Sequence, residues 1–252
     1  MRQGARFSHL VATFVFMWLI YHAQRGSRWD THTRALWQQR FAAHLLKVMH
    51  LKVETRGLPP EGSFIAANHQ GYMDILVMAS LMPQVFLSKH SVADWPFIGI
   101  FVKMAGTLFI DRGRRSEVST QEAGFANAIQ NKVGMTVYLE GTSTDGSHVL
   151  PFKSSLLDPV VRNQWDVTPA YLKYECEGGD PAFDVCWWGD MTFGRHLLKM
   201  MTLKSIRATI VFGETRHPGT DRKVLAKELH GDVLELRDQA GKGQGRAVSR
   251  QP

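Results

Sequence analysis

Cysteine is scarce: the chain of 252 residues has two, Cys176 and Cys186. Neither sits in a metal-ligand or redox spacing, so they are either one lone disulfide or two free thiols in a reducing compartment, and the second reading is preferred. No His, Cys or Glu cluster has the spacing of a metal site, so no metal is expected. Walker and dinucleotide loops are also missing, which removes nucleotide cofactors. The Gly-x-Ser-x-Gly elbow of lipid-cleaving serine hydrolases is absent. So are zinc-finger, recognition-helix and RNA-binding aromatic signatures, which argues against nucleic acid as a partner. There is no internal repeat, and no apolar run reaches the ~20 residues of a perpendicular membrane span.

What is present fits one folded core: 44% hydrophobic and 21% charged residues, with a net charge of +7. A basic excess of this size suits an anionic membrane surface. Residues Leu10 to Tyr21 are nearly all apolar and lie between Arg2 and Arg6 on one side and Arg25 and Arg28 on the other. No small-residue cleavage site follows, so a signal peptide is disfavoured. The run reads as a membrane anchor, shallow or barely spanning, with a buried core helix as the alternative. From Thr33 to Leu51, Leu36, Trp37, Phe41, Leu45, Val48 and Met49 recur at helical spacing, with Arg34, Arg40, His44 and Lys47 largely between them. Such a helix either packs on a domain or lies in a headgroup layer. Residues 1–52 are therefore expected to form N-terminal membrane-anchoring helices, 53–239 the catalytic body, and 240–252 a disordered tail.

Within the body, short strands are expected at Ser63–Ala67, Val85–Leu87, Leu108–Ile110, Met135–Leu139, Val167–Leu172, Ala182–Trp187 and Ser205–Phe212. Helices are expected from about Tyr72, over Phe97–Met104, from a Ser116 cap to about Lys132, and around Arg195–Leu203 and Asp221–Arg237. The alternation predicts an α/β fold, a central mixed sheet flanked by helices and preceded by the two-helix segment.

Four stretches carry polar residues at strand ends, where α/β folds place functional groups. In Asn68-His69-Gln70-Gly71-Tyr72-Met73-Asp74, a turn into a helix lets the Asp74 carboxylate reach one ring nitrogen of His69. That is the base and its orienting partner without a nucleophile, fit to deprotonate a substrate hydroxyl. Spacing alone leaves His69 open as a surface or core histidine. In Gly106-Thr107-Leu108-Phe109-Ile110-Asp111-Arg112 a guanidinium stands at a strand mouth, as an anion site or a structural ion pair. Val137-Tyr138-Leu139-Glu140-Gly141-Thr142-Ser143 ends a strand in a small-residue loop, and Val167-Thr168-Pro169-Ala170 is a strand with a proline.

In this order and spacing the four stretches resemble the motif blocks of the glycerolipid acyltransferase family, over roughly residues 53–213. Asn68, His69 and Asp74 match its first block; Gly106, Phe109, Ile110, Asp111 and Arg112 its second; Glu140, Gly141 and Thr142 the core of its third; Val167 and Pro169 its fourth. The Lys89, Trp95-Pro96 and Gly99 stretch resembles the segment between the first two blocks. The resemblance implies that His69 is the general base and Asp74 its partner. It also implies that Asp111, Arg112, Glu140, Gly141 and Thr142 hold the acceptor's polar head. The donor would be acyl-CoA or acyl-acyl carrier protein, with no further cofactor. Attack would be direct, backbone amides would meet the oxyanion, and the site would dock at a membrane, expected to be the cytoplasmic face of the inner membrane.

Two positions depart from the family pattern: Leu139 stands where the family has proline, and Ser143 where arginine follows Glu-Gly-Thr. The second change removes a cation from the proposed phosphate site, leaving Arg112, with Lys153 or Arg114 as substitutes. The Asp145-Gly146 and Leu150-Pro151-Phe152-Lys153-Ser154-Ser155 stretch resembles the branch acting on lyso-ornithine lipid. The family resemblance as a whole implies 1-acylglycerol-3-phosphate as acceptor, giving phosphatidic acid, and these two departures leave lyso-ornithine or another non-phosphate lysolipid as the alternative. A non-catalytic membrane-binding homologue and a lipid hydrolase are the readings from other classes.

Overall fold

The computed structural model describes residues 2–24, 29–96, 98–110 and 121–242. Helix α1 (Arg2–Gln24) and helix α2 (Thr31–Val48) precede the sheet. Asp30 caps α2, its side chain accepting from the Thr33 amide at 2.8 Å. Strands β1 (Leu51–Arg56), β2 (Phe64–Ala67), β3 (Gln84–Lys89), β4 (Leu108–Ile110), β5 (Gly134–Tyr138), β6 (Val167–Glu177) and β7 (Ser205–Phe212) form one sheet in the order β1-β7-β6-β2-β5-β3-β4. From β6 to β4 neighbouring strands run parallel; β7 pairs antiparallel with β6, and β1 runs with β7. The expected mixed sheet is what forms.

Parallel strands covered on both faces read as apolar runs. All four residues of β2 and all five of β5 are buried. Alternation along β2 sends Ile65 and Ala67 into one cluster, with Phe41, Leu45, Met73 and Val77, and Phe64 and Ala66 into another, with Phe125, Leu157 and Leu229. The first cluster joins the sheet to α1, α2 and helix α3 (Tyr72–Leu81). The second joins it to helices α5 (Glu122–Gln130), α6 (Asp158–Asn163) and α9 (Arg222–Lys242). Helix α4 (Ile98–Met104) lies between β3 and β4 in the chain, and α7 (Pro181–Asp184) and α8 (Phe193–Met200) between β6 and β7.

Several boundaries differ from those the sequence predicts. Ala182–Trp187 is not a strand: Asp180 caps the short helix α7, which starts at Pro181, and the chain then runs on irregularly. Strand β1 starts at Leu51, inside the segment assigned to the anchor, and α9 continues to Lys242, so residues 240–242 are helical rather than a tail. Ala240 is buried, and the Gln239 carbonyl accepts from Arg56 at 3.1 Å. Asp111, Arg112, Arg114 and the Ser116 cap lie outside the described residues, as does 243–252.

The apolar run is longer as a helix than as a sequence. Gly4–Gln24 is the one helix among the described residues long and apolar enough to cross a membrane. It is held along the body: Phe14 stacks edge-on against Phe41 at 5.2 Å and Phe101 at 4.7 Å, and Trp37 Nε1 donates to the Met17 carbonyl. At its start, Arg6 donates to the carbonyls of Met201 and Leu203 at 2.9 and 2.8 Å.

Candidate active site

The parallel strands share one carboxyl edge, and the first and third sequence stretches emerge there side by side. Ala67 pairs with Tyr138 at the ends of β2 and β5, so His69 and Glu140 leave the sheet together. Chain β6 pairs Ala170 with Ala67 and then continues past the end of β2. Its projecting half carries Leu172 and Tyr174 beside the loop that runs from Asn68 to Asp74.

That loop is fixed from both sides. The Asn68 side chain exchanges two hydrogen bonds with the Leu172 backbone, at 2.9 and 2.7 Å, as a neighbouring strand would. Gln70 Nε2 donates to the same Leu172 carbonyl at 2.8 Å. The Gln70 carbonyl accepts from the Trp187 amide at 2.7 Å, so the segment after α7 lies on the loop. Gly71 is required at that contact: its φ is +150°, and a Cβ there would lie 2.8 Å from the Trp187 nitrogen.

Asp74 is the third residue of α3, and its position explains the spacing from His69. A carboxylate there can reach back over the helix start, where unpaired amides point outward. Asp74 Oδ2 accepts from the amides of Gln70 at 2.6 Å and Gly71 at 3.0 Å, and from His69 Nδ1 at 2.7 Å. Its other oxygen accepts from the Tyr174 hydroxyl at 2.8 Å. Asp74 is fully buried, whereas the His69 side chain is 19% exposed. With Nδ1–H directed at the carboxylate, Nε2 is left as the basic nitrogen. The imidazole lies flat on the Tyr138 ring, centroids 4.2 Å apart and planes 14° apart.

Glu140, expected at the acceptor head, faces inward. It is buried; Oε1 accepts from the His69 amide and Oε2 from the Leu150 amide, both at 2.7 Å. Burial pushes its carboxyl above the ordinary glutamate value, and the two amide bonds and His69 oppose that rise. Glu140 therefore ties the loop to His69. Thr144 completes the clasp, its amide donating to the His69 carbonyl at 2.9 Å. Gly141 turns the loop at φ +74°, and the Lys153 side chain crosses the space a Cβ would fill, its Cδ 2.8 Å from that position. Thr142 is exposed on the same loop. The amides of His69, Gln70, Gly71, Gly141 and Thr144 are all bonded inside the protein, so none of them is available to an oxyanion as expected.

Sequence reasoning missed Tyr138 and Tyr174. Burial pushes both phenols up, and the Asp74 charge adds to the effect, so each stays a neutral hydroxyl. Alternation in β6 predicts that Ala170, Leu172 and Tyr174 share a face, but nothing in the chain says which loop that face meets. Cys186 contacts Gln70 Oε1 at 3.5 Å, and burial pushes its thiol up, away from the thiolate a nucleophile needs. Both cysteines are free.

Residues 50–173 match the family model described as Acyltransferase. Over 181 residues the chain is 36% identical to a lyso-ornithine lipid O-acyltransferase of Rhodobacter capsulatus, covering 69% of this chain and 63% of that protein. It is 29% identical to one of Brucella abortus, covering 79% and 82%. A 1-acyl-sn-glycerol-3-phosphate acyltransferase of Neisseria gonorrhoeae is 27% identical over 150 residues, covering 56% and 59%. The crystal structure of PlsC, the 1-acyl-sn-glycerophosphate acyltransferase of Thermotoga maritima, superposes with a TM-score of 0.64 over 98% of this chain and 100% of that one, at 17% identity. The last of these shows a shared fold. The matched segment takes in β1 to β5 and β6 as far as Lys173, with the His69–Asp74 pair and the Glu140 loop inside it, and it is a domain of the Acyltransferase family.

Proposed function

We propose that the chain is a membrane-associated O-acyltransferase that moves a fatty acyl group from a thioester to the free hydroxyl of a lysolipid. The observation that carries this is the 2.7 Å bond between His69 Nδ1 and the buried Asp74 carboxylate, which leaves Nε2 of a partly exposed ring as the base. Nε2 takes the hydroxyl proton as the acceptor oxygen attacks the thioester carbonyl. The tetrahedral intermediate then collapses, expelling the thiolate, and the imidazolium returns the proton to sulfur. The products are an ester and a free thiol, and no acyl-enzyme forms. General-base help of this kind is typically worth ~10²–10⁴ in rate. The donor is acyl-CoA or acyl-acyl carrier protein, and no further cofactor takes part.

Two observations favour lyso-ornithine lipid as acceptor. Ser143 stands where the family has arginine, and two relatives bear that activity in their names. The second reading is 1-acylglycerol-3-phosphate, favoured by the Neisseria relative and by Lys153, whose side chain crosses Gly141 and brings a cation to the loop. Thr142 and Arg112 would join it at the acceptor head. Phe7, Val11, Val15, Phe16 and Leu19 form an exposed apolar face on α1, which favours a helix lying in a lipid surface.

The test is thiol release from acyl-CoA by the detergent-purified chain, with lyso-ornithine lipid and lysophosphatidic acid in parallel and a His69→Ala control. Release with lyso-ornithine lipid, lost in the control, is the expected result. Release with lysophosphatidic acid alone would move the acceptor to the second reading. Release by His69→Ala equal to the parent would overturn the base assignment.

A further inference from the structure

Asp74 orients His69 only as well as Asp74 is itself held, and three of its four partners belong to its own loop. Two are the amides of Gln70 and Gly71, and the third is the imidazole it serves. All three bond to Oδ2. Oδ1 accepts from the Tyr174 hydroxyl, a residue 100 positions away on β6, at 2.8 Å. A carboxylate with one oxygen satisfied and the other buried unpaired is under stress, because an unmet buried acceptor costs more than a met one gains. The plane of the carboxylate, and with it the direction of the Nδ1–H bond, is therefore set from two sides.

From this geometry we infer that Tyr174 is a positioning residue for the acyl transfer, holding Asp74 Oδ1 so that the Oδ2 bond keeps His69 Nε2 aimed at the acceptor hydroxyl. The inference rests on the base role of His69 proposed above. Tyr174 lies one position beyond the segment that matches the family model, so the resemblance did not point to it. Its placement is rigid: Tyr174 is buried, and its backbone pairs with Ala208 of β7 inside the eight-residue antiparallel ladder. Asn68 and Gln70 fasten the loop to Leu172, two residues earlier on the same strand, so β6 fixes both the loop backbone and the carboxylate. Around the carboxylate stand His69, the Tyr138 ring beneath it and the Cys186 thiol beside Gln70. Among the described residues Tyr138 Oη has no partner, so the neighbouring phenol does not share the task.

The test compares the full chain with Tyr174→Phe, which removes one oxygen and keeps the ring, in steady-state thiol release with both substrates varied. The expected result is kcat lowered about tenfold to hundredfold, the scale of one hydrogen bond to a charged group, with both KM values within about twofold of the parent. A purely packing role would instead lower the unfolding temperature and leave kcat per folded molecule unchanged, and that outcome overturns the inference. If Tyr174→Phe does not fold, 4-methylphenylalanine in place of Tyr174 fills the space of the hydroxyl without a donor. A kcat per folded molecule lowered at least about tenfold then supports the inference, and an unchanged one overturns it. His69→Ala run beside them separates the two proposals: an active His69→Ala removes the base, whereas an inactive one with a fully active Tyr174→Phe removes only Tyr174.

Discussion

At the scale of single residues, the loop around His69 depends on side chains buried within the protein. Glu140 bonds two amides from distant segments, that of Leu150 and that of His69 itself. An amide side chain offers only one oxygen, so Glu140→Gln is expected to lose a charge-assisted bond of about 1.5–3 kcal/mol. The variant should unfold several degrees lower and turn over more slowly, as measured by thermal unfolding beside thiol release. An unchanged melting temperature would contradict the brace. Gly141→Ala is strained by the left-handed φ, while the end of the Lys153 side chain can swing aside, and urea unfolding should show a cost on the order of 1–3 kcal/mol. His69 and Asp74 were legible in the sequence because their relation is local, set by where α3 begins. Tyr174 and the pairing of Asn68 with Leu172 were not, because their partners lie about a hundred residues apart and meet only once the sheet has formed. Glu140 was legible as a motif residue but not in its direction, since a glutamate at a strand end reads equally as facing in or out.

Among the elements, α1 shows how a run too short in sequence becomes a long helix. Its apolar centre is extended at both ends by residues that helix geometry tolerates, reaching 23 residues, roughly 34 Å. Leu10 and Met17 turn to the body, while Val15 and Phe16 stand 52% and 61% exposed on the other side. Replacing both with Asp is expected to cut co-sedimentation with anionic vesicles severalfold and leave thermal stability in detergent unchanged. A matching fall in stability would instead mean that this face packs within the protein. The segment from Pro181 to Trp188 misled the reading for a related reason. Val185 and Cys186 are buried as a strand's residues would be, yet they cover the His69 loop instead of joining the sheet. Periodicity reports burial, and burial has more than one cause.

For the whole molecule, the alternation of strands and helices announced the mixed sheet, and the reversal of β7 against β6 was beyond it. Stability as a function of pH is also a property of this scale. His196 on α8 is buried; its Nδ1 lies 2.9 Å from the Tyr72 hydroxyl. Burial holds its imidazole below the ordinary histidine value of 6.5. The unfolded chain therefore binds a proton that the folded chain refuses. The stability contributed by the neutral ring is present above pH 6.5 and is lost as pH falls through the lowered value. Urea unfolding at neutral and mildly acid pH should show a drop in the parent that narrows in His196→Gln. An equal drop in both would assign the acid sensitivity elsewhere.

The hundred-residue reach from the His69 loop to β6 also governs when the site comes into being during synthesis. A nascent chain whose His69, Asp74 and Glu140 have left the ribosome still lacks Leu172 and Tyr174, to which the loop and its carboxylate are fastened. Ribosomes add ~5–20 residues per second, so seconds separate the appearance of the base from its anchoring. On the proposed function, helix α1 is free to meet lipid throughout that interval, and the chain would settle on a membrane before its site is assembled.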